Sequence, residues 1–176
     1  MFTSSLARLA ARKGWKREES YLYRGDWNGC PVSLIDGEGF VEVVISFPGL
    51  DTEAPAWEAL SKLIDGYSGL KIVRRTVTDG FLSVRIRRRL LSVSADSLDL
   101  FLNILIEEAK DRGLAEQNLC AVCHKPADEV GTLFDLACYI HEDCRRQAGD
   151  DLPAYPPYLM YEHTGKDPFR FLKAKK

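Results

Sequence analysis

Residues 21–47, YLYRGDWNGCPVSLIDGEGFVEVVISF, contain three predicted β-strands separated by two glycine-containing turns. An Asn-Gly pair at 28–29 joins residues 21–27 to residues 30–35. Asn-Gly supplies the two positive-φ residues of a type I′ turn, so these segments are expected to form a hairpin. Along residues 40–47, apolar side chains alternate with others, as in a strand with one well-buried face. The stretch therefore predicts an antiparallel sheet.

Three amphipathic helices flank these strands in the sequence. They are predicted over residues 3–13, from a cap at Asp51 or Thr52 to Gly66, and over residues 97–112. In each of them apolar residues recur at a helical spacing, which places them on one side of the helix. These sides are expected to cover one face of the sheet.

The last of these helices has more apolar surface than one buried stripe requires. Leu98, Leu102 and Leu105 belong to the stripe that faces the core, whereas Leu100 and Ile104 widen it. We expect either the module over residues 116–149 or a second subunit to cover the additional residues.

A second hairpin is predicted from residues 71–78 and 81–90 around Asp79-Gly80. If Thr78 pairs with Phe81, side chains of opposite character fall on opposite faces. The apolar face comprises Val73, Val77, Leu82, Val84 and Ile86. The other face carries Arg74, Arg85, Arg87 and Arg89.

The arginine face requires charge compensation, because Arg74 lies directly opposite Arg85 and like charges across a strand pair are destabilising. One interpretation is that Glu42, on the exposed face of an earlier strand, or other acids neutralise the row. The other is an anionic partner, such as an acidic protein segment or nucleic acid. The predicted patch for such a partner is Arg74, Arg85, Arg87 and Arg89.

The order of elements is helix, three strands, helix, two strands, helix. It predicts a two-layer α+β fold in which the helices lie on one face of an antiparallel sheet. This order over residues 1–115 resembles the type III secretion chaperone-like fold, which the YbjN family of bacterial sensory proteins shares. The resemblance implies a non-enzymatic protein that dimerises and binds other proteins or peptides.

Residues 119–147, LCAVCHKPADEVGTLFDLACYIHEDCRRQ, contain two pairs of metal-binding residues. Cys120 and Cys123 have C-x₂-C spacing, and His141 and Cys144 have H-x₂-C spacing. Four soft or borderline ligands in a closed tetrahedron favour Zn²⁺. Four protein ligands leave no position for water, so the predicted zinc is structural.

The spacer and its flanks resemble known zinc modules. The predicted order is a knuckle at residues 120–123, a short hairpin over residues 131–140 and then two ligands at the start of a helix. This order is similar to that of a treble-clef finger. The spacing also resembles the first half of a LIM domain, but the second half is missing. Cys138 or His124 could replace a ligand. A covalent haem at C-x-x-C-H would require export, and a redox C-x-x-C pair would require a βαβ context.

The domain organisation follows from these motifs. The α+β domain covers residues 1–115, the zinc module residues 116–149, and a segment rich in Pro and Tyr covers residues 150–176. We expect this last segment to form an extended strap on the chain or on a partner subunit. The basic N-terminus is interpreted as the first helix, with an organellar targeting segment as the alternative.

Composition restricts the possible functions of the chain. Its 176 residues carry a net charge of −2, which gives no general attraction to nucleic acid or to anionic membranes. No stretch approaches the ~20 apolar residues that span a bilayer. Four of the five cysteines lie between positions 120 and 144, and this clustering favours a metal and a reducing compartment, so we expect a cytoplasmic protein.

These features together predict a non-enzymatic protein that binds a protein partner or forms a homodimer. The alternative is a regulator associated with nucleic acid through the arginine-rich hairpin and the zinc module. A hydrolase would need a nucleophile–base pair that the sequence does not present. No small-molecule substrate is indicated.

Overall fold

A computed structural model of the chain describes residues 5–19, 21–88, 93–133 and 135–149. In these ranges it contains four helices and eight strands. The helices are α1 (Ser5–Arg12), α2 (Pro55–Gly66), α3 (Ala95–Asp111) and α4 (Glu142–Gly149). The strands are β1 (Lys16–Glu19), β2 (Leu22–Trp27), β3 (Cys30–Gly37), β4 (Phe40–Ser46), β5 (Ile72–Thr78), β6 (Phe81–Arg87), β7 (Val130–Leu133) and β8 (Leu136–Tyr139).

Six strands form one antiparallel sheet in the order β1-β2-β3-β4-β6-β5, and β7 and β8 form a separate hairpin. The predicted α+β class with an antiparallel sheet is therefore confirmed. Both predicted tight turns have the left-handed backbone that their residues favour, with φ of 52° and 86° at Asn28-Gly29 and of 49° and 77° at Asp79-Gly80.

The predicted order of elements omitted a strand. Lys16–Glu19 pairs with β2 and adds a sixth strand at the sheet edge, so that four strands, not three, precede α2. The four residues, Lys-Arg-Glu-Glu, show no alternation of apolar side chains. Charged side chains are typical of edge strands, where they discourage pairing with other chains.

Helices α1, α2 and α3 cover one face of the sheet, where they form the main core. Helix α3 lies between the other two, and its Leu98, Leu102 and Leu105 are fully buried. Helix α2 begins with Pro55 after the N-cap residue Ala54, which has no side-chain cap, so the predicted cap at Asp51 or Thr52 is wrong. The Asp51 carboxylate instead accepts hydrogen bonds from the backbone N–H groups of the two residues just before the helix. This layer agrees with the predicted helical stripes.

The prediction that Val73 faces the core is wrong. A β-bulge between Ile72 and Arg74 shifts the register, so that Ile72 pairs with Ile86 and the Val73 side chain is 48% exposed. Because β5 is the last strand of the sheet, the extra residue meets no outer neighbour, and edges are where bulges concentrate. Beyond the bulge the predicted register holds, and Arg74 lies opposite Arg85.

The carboxylate of Glu42, next to Arg85 on the neighbouring strand, reaches both facing arginines. It is fully buried, so the expectation that it occupies an exposed face is wrong. Arg85 Nη2 donates to Glu42 Oε2 at 2.8 Å, and Arg74 Nη2 lies 3.5 Å from Oε1. The Ser83 hydroxyl also donates to Oε1, and the Arg85 guanidinium stacks on the Phe40 ring. The carboxylate therefore neutralises part of the arginine row.

We expect Glu42→Gln to lower the free energy of unfolding by about 3 kcal/mol, because it leaves Arg74 and Arg85 facing each other without a buried anion. Urea denaturation followed by circular dichroism measures this loss. Glu38→Gln is the matched control, since Glu38 is exposed in the turn between β3 and β4. A Glu42→Gln protein as stable as the control would contradict the assigned role.

Some predicted features lie outside the described residues. These are residues 3 and 4 of the predicted first helix, Arg89 of the predicted patch, and the strap at 150–176. None of the described helices combines the length and the apolar composition needed to cross a bilayer.

Candidate metal centre

The first ligand pair lies in a tight turn that follows α3. Leu119 and Pro126 form an isolated antiparallel bridge, and the Cys120 N–H donates to the Lys125 carbonyl at 2.8 Å. The His124 N–H donates back to the Cys120 carbonyl at 3.0 Å, and His124 has a left-handed backbone with φ of 57°. These bonds close the chain between Cys120 and Cys123 and bring both sulfurs to one side.

The second ligand pair lies where the β7–β8 hairpin leads into α4. His141 directly precedes α4, and its carbonyl accepts a 2.9 Å hydrogen bond from the Arg145 N–H. Cys144 follows in the first helical turn. Residues three apart on a helix share a side, so both side chains point in the same direction.

The four predicted ligands converge. One ligand atom each of Cys120, Cys123, His141 and Cys144 lies within 4.8 Å of all the others. His141 Nδ1 is 3.4 Å from Cys123 Sγ and 3.8 Å from Cys144 Sγ. A tetrahedral site with zinc bond lengths has S···N edges of roughly 3.6 Å, which these two distances bracket. This group can bind one metal ion.

The histidine is held in the orientation that a metal ligand requires. Its Nε2 lies 2.8 Å from the Pro126 carbonyl oxygen. A carbonyl only accepts, so Nε2 carries a hydrogen, and in the neutral imidazole Nδ1 then presents its lone pair to the sulfurs. Metal-binding histidines commonly donate their second N–H to a carbonyl, which fixes the tautomer and the ring plane.

Backbone hydrogen bonds stabilise the thiolate form of one ligand, Cys120. Burial of Cys120 favours its neutral thiol, but the backbone N–H groups of Cys123, His141 and Val122 hydrogen-bond to the sulfur and together lower its pKa to about 6. At Cys144, burial and the neighbouring cysteines raise the pKa to about 11. A metal ion must displace the proton of the Cys144 thiol, so metal binding at neutral pH releases a proton to solvent.

The two alternative ligands take other positions. Cys138 is fully buried on β8, where burial raises the pKa of its thiol to about 12, and it packs in the core beneath the hairpin. The His124 side chain is exposed. Neither belongs to the convergent group among the described residues.

Residues 116–149 form the metal module, which consists of the knuckle at residues 120–123, the β7–β8 hairpin and α4. This module packs against the sheet face opposite the helices. The hairpin and the knuckle share a second core with the sheet. The Ala137 N–H donates to the buried Ser33 hydroxyl at 2.9 Å, and Tyr139 donates to the Gly29 carbonyl at 3.4 Å. The sheet residues in this core are Leu22, Ile35, Val44 and Phe81. Val44 was the sequence signal for this contact, because it places an apolar side chain on the face expected to be exposed.

Three members of the predicted arginine patch are described, and the structure separates their environments. Arg74 and Arg85 share Glu42, whereas Arg87 is exposed at the end of β6. The anionic partner stays a prediction, with two of its three described guanidinium groups already paired.

No protein family, no curated protein and no solved structure matches this chain. The chemistry of the site is therefore inferred from its donor set. Three thiol groups and one imidazole, held by two short local segments, can coordinate a single metal ion.

We expect Cys123→Ser and Cys144→Ser to lose most of the bound metal, because each removes one of four ligands. Cys138→Ala and His124→Ala are the controls and should each retain one ion per chain. Elemental analysis of protein purified without chelator measures the stoichiometry. Full metal content in both serine variants, or loss in either control, would show that the ligand set is wrong.

Proposed function

We propose that this chain is a non-enzymatic module that binds proteins or assembles with itself, and that its metal is a structural zinc ion. The observation that carries the proposal is the apolar surface of α3. Leu100 is 55% exposed and Ile104, one turn further on, is 37% exposed. The opposite side of the same helix is fully buried in the core.

The metal module does not cover this surface. The module packs on the other face of the sheet, and the side chains of Leu100 and Ile104 remain exposed. Of the two covers that the sequence suggested, this placement of the module supports a second subunit. Burying a leucine or isoleucine side chain contributes roughly 1.5–3 kcal/mol, so two from each protomer can drive a weak to moderate association.

Zinc is the metal that the donor set favours. Three sulfurs and an imidazole nitrogen match a structural Cys₃His site, and hard cations such as Mg²⁺ and Ca²⁺ prefer oxygen ligands. Four protein ligands leave no coordination position for a reacting water, which supports a structural role over a catalytic one. A reducing compartment such as the cytoplasm would keep the thiols available.

The element order of each part agrees with this proposal. Knuckle, β7–β8 hairpin and α4 occur in the order typical of a treble-clef finger. The remaining elements are similar to a secretion chaperone-like domain, apart from the additional strand β1. That resemblance implies dimerisation and protein binding. The alternative, a regulator associated with nucleic acid, would depend on arginines of which two are paired with Glu42.

The metal is expected to hold the module on the sheet. The module has two four-residue strands and an eight-residue helix, which is too little for an independent core. Removing the ion with a chelator should loosen it and uncover Leu22, Ile35, Val44 and Phe81.

Binding of a hydrophobic dye such as anilinonaphthalene sulfonate should therefore increase after chelation, and the melting temperature should fall. Cys123→Ser should show both effects without chelator. Chelated protein that melts like the wild type and binds no dye would contradict a structural role for the metal.

Self-assembly is tested by replacing the α3 surface. Leu100→Ser/Ile104→Ser should shift a wild-type dimer to the monomer mass in light scattering coupled to gel filtration, because the association loses its apolar contact. Val130→Ser is the matched control, since Val130 is 53% exposed on β7, far from α3 in the fold.

Two results would count against this surface. One is a dimer that persists in the double variant. The other is a wild-type monomer that, with a photo-crosslinking amino acid at position 100, forms no adduct with itself or with any other protein.

A further inference from the structure

A groove of about 770 Å³ lies between the end of the sheet and the metal module. Leu50 lines it from the loop before α2, and Gly80 from the β5–β6 turn. The metal module supplies Val122 from the knuckle, Leu133 from β7 and Ala148 from α4. This volume falls within the range of roughly 300–1,000 Å³ typical of ligand-binding clefts.

The wall on the sheet side is held by hydrogen bonds. The Phe47 N–H donates to the Gly80 carbonyl at 2.7 Å, which ties the β5–β6 turn to the end of β4. The Asp51 carboxylate is fixed by backbone N–H groups of Glu53 and Ala54 at 2.9 and 2.8 Å. The groove is therefore preformed on this side.

The formally charged residues that line the groove are both acidic. Asp51 and Asp79 both line it and both are exposed, and no described lining residue is a lysine or an arginine. An apolar floor beneath two carboxylates fits an extended segment that combines apolar and basic side chains.

We infer that the groove binds residues 168–176 of the same chain, PFRFLKAKK. This segment carries large apolar side chains next to cations, as the lining requires. The apolar members are Phe169, Phe171 and Leu172, and the basic members are Arg170, Lys173, Lys175 and Lys176. Residues 150–167 carry four acids, Asp150, Asp151, Glu162 and Asp167, against one lysine, and complement the aspartates poorly.

The connection between the groove and this segment is long enough. Helix α4 ends at Gly149, next to Ala148 in the groove wall. The intervening residues 150–167 span up to roughly 60 Å when extended, so the chain can leave the groove and return. A short tether gives the segment an effective concentration on the order of millimolar, so weak contacts suffice.

This contact goes beyond the proposed function, because it involves neither the α3 surface nor a second molecule. Its consequence is that the segment and other basic peptides would compete for the groove. The groove lies at the end of the sheet next to the metal module, and neither Leu100 nor Ile104 lines it, so each surface can be tested without the other.

The test is hydrogen–deuterium exchange of the full-length, metal-loaded chain, read at the amides of residues 169–173. The groove variant is Asp79→Asn/Val122→Lys. Asparagine keeps the left-handed turn at position 79, and the lysine places a cation beside the basic segment. We expect exchange in the variant to be about tenfold faster than in the wild type. Glu38→Gln, away from the groove, should leave it unchanged.

Metal content and melting temperature confirm that the groove variant is folded. Wild-type amides that exchange at the rate of an unstructured peptide would overturn the inference, and so would protection that persists in the groove variant. Protection that falls on tenfold dilution would overturn binding within one chain and would point to the segment of a second copy.

Discussion

The constraint on which the rest of the structure depends is that the sheet carries buried apolar side chains on both faces. Helices cover one face, and Leu22, Ile35, Val44 and Phe81 form an apolar patch on the other that also has to be kept from water. The element on that second face is too small to fold by itself. Coordination of one metal ion by Cys120, Cys123, His141 and Cys144 can provide the cross-link that its short strands and helix lack.

Three polar side chains on this second face, Ser33, Glu42 and Ser83, are buried with hydrogen-bond partners, which offset the cost of removing them from water. One cross-strand row runs from Leu22 through Ile35 and Glu42 to Arg85 and Arg74, from apolar under the hairpin to charged at the β5 edge. Ser33 accepts from the hairpin backbone, so the module is positioned by a directional bond as well as by apolar contact.

The features that could be predicted from sequence were the local ones. Asn28-Gly29 and Asp79-Gly80 specify their turns by backbone preference. Within each ligand pair the two residues are three apart, which places one pair in the knuckle and the other in a helical turn. The missed features depend on distant parts of the chain. Lys-Arg-Glu-Glu becomes β1 only because β2 offers a free edge. Val73 is turned away from the core by a bulge that no local sequence pattern predicts. Glu42 is buried because Arg74, Arg85 and Ser83, far along the chain, surround its carboxylate.

The chain has two separate surfaces that depend on the metal to different degrees. Leu100 and Ile104 belong to a helix whose packing involves only the main core, so that surface persists whether or not the metal module is in place. The groove has Val122, Leu133 and Ala148 on its metal-module side, so it exists only while the module is docked. Loss of the ion would therefore remove half of the groove and leave the α3 surface intact, because no residue of the metal module belongs to the core against which α3 packs.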